Sequence, residues 1–474
     1  MSLDSARPRG LNPLDVAPRV PPRHEASLAG TSDVIIPLVP LAWSLGAWLA
    51  LSNPSQWLTR TVQLGYAIQF ARRPPRFSGI HFTSVKGENA ATLRAEIATL
   101  LRKGAIEPVP PAEMKKGFYS PYFIVPKKGS GLRPILYLRV LNQALHRLSF
   151  KMLMQKRILA SVRHQDWFAA VDLKDAFFNV SVLPRHRPFL WFAFEGQAYQ
   201  YKVLPFGLSL FPCVFMKVAE ATLAPLREVG IHILNFLDNW LILADSRELL
   251  CAHRDLVLRN LSRLGLRVNW EKSKLSPVQS IFFLGLELDS VSMTARFTNE
   301  QAQSVLNCLK AFRWRTAVPL KLFQRLLGHM ASSAVATPLG LIHMRPLQHW
   351  LQNQVPRWAW CHRTHRMTIT PVCRRLFSPW TDLAFLWAGV PLEQVSRCVV
   401  VTTDASKTGW GVVCNGHTAT GSWTGPRLRW HINCLELLAV LLALRRFRPL
   451  IQGKDGLRSR CMSQLACRLL LWSQ

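Results

Sequence analysis

Acidic residues are scarce in this chain. Its 474 residues hold 27 Asp and Glu against 59 Lys and Arg, a formal net charge of +32. The basic residues are spread along the whole length, so the imbalance is not the work of one tail. Such charge points to a polyanionic partner, nucleic acid first; a ribosomal-type or membrane-surface protein is the other reading. Cysteine is absent before Cys213, and the 10 cysteines of the chain include no Cys-x-x-Cys pair. That argues against a disulfide scaffold, and reduced thiols in an intracellular protein are expected. Cys361, His365 and Cys373 are zinc-ligand types, but their spacing matches no closed four-ligand site. Long apolar runs are nearly absent as well. One charge-free stretch, Val34–Leu51, is long enough to cross a bilayer. Pro37, Pro40 and Gly46 interrupt it, and residues 1–33 lack the short basic start of a signal peptide. A buried or partner-facing segment is the preferred reading, and a membrane is not an expected partner.

What is present supports a large folded protein. Hydrophobic residues make up 49% of the chain, and its length predicts two to four domains of ~100–200 residues each. Residues 1–33, rich in Pro, Arg and Ser, read as poorly ordered. Residues 34–80 mix apolar runs with the basic connector "ARRPPRF", and no role is assigned to 1–80. "NAATLRAEIATLLRKG" predicts an amphipathic helix with Leu93, Ile97, Leu100 and Leu101 on one side, stopped at Gly104. "SPYFIVPKKGSGLRPILYLRVLN" predicts two short strands around a Lys-Lys-Gly-Ser-Gly turn. Further on come a strand "FAAVD", a hairpin turning at Glu195-Gly196, a helix ending at Gly230, the run "HILNFLDNWLILAD" and another amphipathic helix closed by Gly265. Strands and helices mix without regular alternation, which favours an α+β sheet with helices on one face. Residues 297–350 read as helical and 351–397 are hard to place. From Cys398 a new unit begins, with strand, turn and strand, then the helix "INCLELLAVLLALRRF".

Three carboxylates belong together in this pattern. Asp172 ends an apolar strand, Asp175 follows within a turn, and Asp238 interrupts the middle of "HILNFLDNWLILAD". Singly, each reads as a cap or turn residue. If the strand of Asp172 lies beside the later hairpin, two carboxylates converge at one sheet edge and repel unless a cation lies between them. Mg²⁺ (or Mn²⁺) is the usual partner of a few carboxylates plus substrate phosphates. Two such ions ~4 Å apart can activate an attacking hydroxyl and steady a leaving oxygen.

"VPKKGSGLRPILYLRVLN", "AAVDLKDAFFNV", "YKVLPFGLSLFP", "LNFLDNWLILA", "NWEKSKLS" and "FFLGLEL" occur in the order found in reverse transcriptases. The chain resembles most closely those of DIRS-type, tyrosine-recombinase retrotransposons, over roughly residues 40–450. The resemblance implies a right-hand polymerase of fingers, palm and thumb, followed by a ribonuclease H-like α/β domain. The divisions expected are fingers and palm over 81–290, thumb and connection over 291–397, and a partial ribonuclease H-like domain over 398–474. The implied partners are an RNA template, a DNA primer, their hybrid and deoxynucleoside triphosphates, in the cytoplasm or nucleus. Asp172 and Asp238 match the metal-binding palm aspartates. Phe177 matches the bulky residue that crowds a ribose 2′-hydroxyl. Asp175 would lie near the incoming triphosphate, which Lys127, Lys128 and Arg133 would clamp. Phe206 and Gly207 of "LPFG" match the loop beside nucleotide and template, and Phe283–Gly285 match the primer grip. Lys274 lies near the lysine that protonates pyrophosphate, with Lys272 equally placed. In the last unit, Asp404 and Glu436 match the first two carboxylates of a two-metal ribonuclease H site.

Departures from the pattern are equally specific. Asn239 stands where the family has its second hairpin aspartate, Phe236 where it has tyrosine, Tyr137 where an acid is usual, and Phe211 where serine is commoner. The neutral amide at 239 removes a charge from the metal site, so polymerase activity is expected to be reduced or absent, the alternative being a catalytically inactive nucleic-acid-binding relic of the same fold. No strand ending in Asp is visible after Lys454, and Asp455 has the wrong setting. The tail reads as a shifted frame or a truncated element, and no efficient hybrid cleavage is expected.

Overall fold

The run from His232 to Ala244 is apolar on both sides because both sides are covered. The computed structural model describes residues 37–126, 131–313, 315–361, 365–392, 398–452 and 456–461. Its central sheet is built from β1 (Trp167–Asp172), β2 (His232–Phe236), β3 (Asn239–Ala244) and β4 (Lys274–Val278), antiparallel throughout in the order β2-β3-β1-β4. Side chains alternate between its two faces. Ala169, Val171, Ile233, Trp240 and Ile242 join the core under α1 (Phe211–Glu228) and α2 (Arg247–Arg263). Phe168, Leu234, Leu241 and Leu243 join a second core on the other face. That core is closed by a small antiparallel sheet of β5 (Ser280–Phe283), β6 (Leu286–Asp289) and β7 (Thr294–Phe297). Burying a side chain such as Leu241 or Phe215 stabilises by about 1.5–3 kcal/mol, which is why a polar tip between β2 and β3 is tolerated only at the sheet's end.

The segments before β1 wrap this sheet. Leu41, Trp48 and Leu51 of the charge-free stretch are buried in the helix-side core, and the Trp48 indole donates to the Leu264 carbonyl at 3.0 Å. Among the described residues no helix is long and apolar enough to cross a membrane. The helix Glu88–Lys103 buries Leu93, Ile97 and Leu100, and Gly104 ends it at φ +73°. Leu101 lies off that face and is exposed, because a one-residue step turns a helix by about 100°. The strands Tyr122–Pro126 and Leu132–Leu136 pair antiparallel, whereas Arg139–Ala144, which begins inside the stretch expected to hold two strands, is helical and buries Leu141 and Ala144. The turn residues Lys127 and Lys128 lie outside the described residues.

Beyond β7 the helices Asn299–Leu309, Leu320–Ser333, Gly340–Gln354 and Pro371–Thr381 share a core around Phe323, Leu326, Leu347 and Trp380. Cys373 is buried in it, and burial pushes its thiol up to about 12. The side chain of Cys361 lies outside the described residues. The last unit carries β8 (Cys398–Ala405), β9 (Gly409–Cys414), β10 (His417–Ser422) and β11 (Gly456–Cys461) in the order β10-β9-β8-β11, with β11 parallel to β8. Helix α3 (Ile432–Arg446) packs on β8 and β9. Neither β10 nor β11 is marked by the sequence pattern. "HTATGS" has small polar residues at an edge, and "GLRSRC" lacks apolar alternation.

Candidate functional site

Asp172 closes β1 directly opposite Asn239, the first residue of β3. The Leu173 amide donates to the Asp238 carbonyl at 2.9 Å. Strand pairing therefore brings Asp172, Asp238 and Asn239 to one end of the sheet. The hairpin turns through Leu237-Asp238, with Leu237 at φ +53°. This left-handed backbone costs a non-glycine residue roughly 1 kcal/mol. The fully buried Trp240 holds the turn, its indole donating to the Leu237 carbonyl at 2.9 Å. The backbone of Asp172 is pinned as firmly. Its amide donates to Ser273 Oγ at 2.9 Å, and its carbonyl accepts from the Asn269 amide at 2.8 Å.

Burial pushes the Asp238 carboxyl above the usual carboxylate range, and the charge of Asp172 pushes it the same way. Lys272 and a hydrogen bond from Asn239 Nδ2, 3.2 Å from Asp238 Oδ1, act in the opposite direction. Lys272 is thus near enough to Asp238 to favour its ionised form. Lys274 lies over the Phe282 ring, 5.2 Å from its centroid. Among the described residues no group of three or more His, Cys, Asp or Glu is placed to hold a metal. What fits a hard divalent cation is the Asp172/Asp238 pair itself, two neighbouring carboxylates whose repulsion a cation relieves, with substrate oxygens and water completing its shell.

The neighbouring residues are arranged around this pair. Asp175 has a left-handed backbone, φ +52°, and caps the short helical turn Ala176–Asn179. Its carboxylate meets Lys103 Nζ at 2.7 Å and Arg267 Nη2 at 3.5 Å. Its charge is therefore countered by the protein's own cations. Phe177 is 7% exposed and packed among Phe206, Phe211 and Phe215. Gly207 has φ +99°, and a Cβ there would come within 3.2 Å of the Leu136 carbonyl oxygen. Asn142 bridges this loop, donating to the Gly207 carbonyl and accepting from the Ser209 amide, each at 2.8 Å. Arg133 is exposed on the Leu132–Leu136 strand, paired with Val125. Leu284 and Gly285 form a two-residue turn, with Phe283 facing Leu286 across it. Sequence reasoning missed Lys103, Asn142, Trp240, Arg267 and Ser273. No local signal marks them, because each acts on a partner that only folding brings near.

In the last unit Asp404 is exposed at the end of β8, opposite Gly411. Glu436 is 3% exposed on α3, and its Oε2 has no hydrogen-bond partner among the described residues. A buried orphan carboxylate oxygen is unfavourable unless a cation or proton meets it, so Glu436 fits a metal ligand. Strand β11 runs beside β8 but ends at Cys461, opposite Thr403, and carries no carboxylate. Asp455 lies outside the described residues.

The family described as reverse transcriptase (RNA-dependent DNA polymerase) matches residues 125–288. The enzymatic polyprotein of Cauliflower mosaic virus (strain Strasbourg) is 24% identical over 352 residues, 70% of this chain and 48% of the polyprotein. The Transposon Tf2-7 polyprotein of Schizosaccharomyces pombe (strain 972 / ATCC 24843) is 23% identical over 343 residues, 70% of this chain and 24% of that protein. The chain thus spans about half or less of these curated relatives. A foamy viral protease–reverse transcriptase solved with double-stranded DNA superposes with a TM-score of 0.58 at 16% identity, covering 93% of this chain and 78% of that one. The foamy viral protein solved with an RNA/DNA hybrid gives 0.56 at 17% identity, covering 90% and 58%. These likenesses show a reverse transcriptase polymerase fold followed by an additional domain.

Proposed function

We propose, from the premise that residues 125–288 are a reverse transcriptase domain of a retroelement polyprotein, that this chain is an RNA-directed DNA polymerase whose chemistry is weakened by Asn239. One observation carries the proposal: β1–β3 pairing sets Asp172 and Asp238 side by side on rigid backbone. Divalent cations held by this pair, Mg²⁺ or Mn²⁺, would activate the primer 3′-hydroxyl and neutralise the charge gathering on the triphosphate. The protein's own groups do the rest. The Ala176–Asn179 backbone and the exposed Arg133 receive the triphosphate, with Lys127 and Lys128 assigned to the same task. Phe177 crowds the 2′ position of the sugar. Lys274, or Lys272, which is equally placed in the chain and near Asp238, is the proton donor for departing pyrophosphate. Phe283–Gly285 support the primer end. The partners are RNA template, DNA primer, their hybrid and deoxynucleoside triphosphates, met inside the cell.

Asn239 supplies the reason for weakened turnover. Where a third carboxylate would add charge, its amide donates to Asp238 and competes with a cation for that oxygen. Primer extension on an RNA template with Mg²⁺ or Mn²⁺ tests this. Asn239→Asp should extend at least about tenfold faster than the natural chain, the equivalent of 1.4 kcal/mol, and Asp172→Ala should not extend at all. Equal, robust extension by the natural chain and Asn239→Asp would defeat the claim of impairment. The same hydrogen bond favours one second reading, a nucleic-acid-binding relic of the fold without turnover, which extension by neither chain would support. The last unit is proposed as a ribonuclease H-like domain with part of that site's carboxylates. It keeps Asp404 and Glu436, and no carboxylate stands on β11.

A further inference from the structure

We infer that Phe211 sets the sugar selectivity of this site by acting as a rigid backing for the Phe177 ring. The inference rests on the polymerase reading above and assigns a specificity-determining part to a buried residue packed against the Phe177 ring. Phe177 makes its closest ring contact with Phe211, at 4.0 Å between centroids and 36° between planes. Phe215 and Phe206 meet the same ring edge-on, at 4.9 and 5.5 Å. These supports differ in stiffness. Phe206 is 55% exposed on a loop. Phe211, 6% exposed, is the first residue of the 18-residue helix α1, and Pro212 follows it. A proline there locks the first helical turn, and the helix is anchored by the fully buried Phe215, Val218 and Leu223. From the backbone side, the Lys103–Asp175–Arg267 ion pairs hold the residue two positions before Phe177.

A wall rejects an added hydroxyl only if it does not yield. A ring with empty space behind it swings away by an ångström at little cost, whereas one packed at van der Waals distance must compress its neighbours. Removing the Phe211 ring opens that space. Phe177 stays in place chemically but ceases to be stiff, and discrimination against a 2′-hydroxyl falls by about tenfold, the scale of one aromatic contact or one ill-fitting group in a pocket.

The test needs no turnover. The full chain is bound to a dideoxy-terminated DNA primer on an RNA template with uridine at the templating position, in Mg²⁺. Affinities for dATP and ATP, which differ only at the 2′ carbon, are read from stabilisation of the complex against competitor template. In Phe211→Ser the preference for dATP should fall by about tenfold while dATP affinity changes by no more than about twofold. Phe211→Leu, which keeps most of the volume and preserves folding if serine does not, should fall part of the way. Phe177→Ala should lose at least as much, and adding Phe211→Ser to it should change nothing more. An unchanged preference in both Phe211 variants, with Phe177→Ala altered, would show Phe211 to be core packing alone and sink the inference. An unchanged preference in Phe177→Ala would sink it also. Failure of the natural chain to hold either nucleotide would instead remove the polymerase reading, and this inference with it.

Discussion

Asp238 shows at the scale of one residue how a site is stabilised against its own protein. Its carboxyl is raised by burial and by Asp172, so at neutral pH its ionised form weighs against folding. The sign follows from linkage. A carboxyl whose folded pKa lies above its unfolded value adds a penalty as pH rises through the unfolded value, and the penalty is complete above the folded one. A divalent cation relieves it. Mg²⁺ should therefore raise the thermal midpoint of the natural chain, and less so as pH falls toward the raised pKa. Asp238→Asn should abolish extension, leave the midpoint in the absence of metal equal or higher, and remove most of the Mg²⁺ effect. A variant clearly less stable without metal would contradict this account. Calorimetric scans with and without Mg²⁺ make the comparison.

Among the elements, the short turn Pro184–Phe189 shows how a strap is tied to the fold by a neutral histidine. His186 Nδ1 accepts from the Ile68 amide at 2.8 Å, and the ring lies between Phe70 and Phe189. Burial pushes His186 down, with Arg185 adding to the effect. Burial likewise lowers His232 and His253. A base whose folded pKa is depressed binds fewer protons in the native state, so stability is full above about pH 6.5 and declines as pH falls below it. The thermal midpoint, followed from about pH 8 to pH 5, should drop on the acid side. His186→Gln, which keeps an acceptor but takes no charge, should flatten part of that drop. A midpoint independent of pH over this range would refute it. The ion pairs around Asp175 show the same dependence on distant elements, since Lys103 ends one helix and Arg267 precedes β4. Nothing near Lys103 in the chain hints at its partner.

For the molecule as a whole, a net charge of +32 governs behaviour more than any one contact. Affinity for an RNA–DNA hybrid should fall steeply with salt, with a log–log slope of about −0.9 for each phosphate neutralised. Asp172→Ala should leave that slope unchanged, because phosphate contacts and metal binding are separate. The hybrid used for this titration also reports on the last unit. Labelled RNA strand should survive incubation with Mg²⁺, since β11 supplies no carboxylate beside Asp404. Metal-dependent loss of RNA that Asp404→Ala abolishes would show a working nuclease instead.

Much of this protein is legible in its sequence, and the legible part is local. Period-two and helical patterns mark the central strands and the helices that cover them, because burial selects apolar residues at fixed spacing. A carboxylate interrupting "LNFLDNW" is conspicuous for the same reason, since buried strands exclude charge. The strands Gly456–Cys461 and His417–Ser422 escape notice, because edge pairing uses backbone hydrogen bonds that leave no side-chain pattern. Tertiary structure alone decides which distant groups meet: Asp172 beside Asn239, Lys103 against Asp175, Phe211 behind Phe177. The physical reason is one of range. Propensity and periodicity act over a few residues, whereas charge, hydrogen bonding and ring packing act through space across whatever the fold brings together.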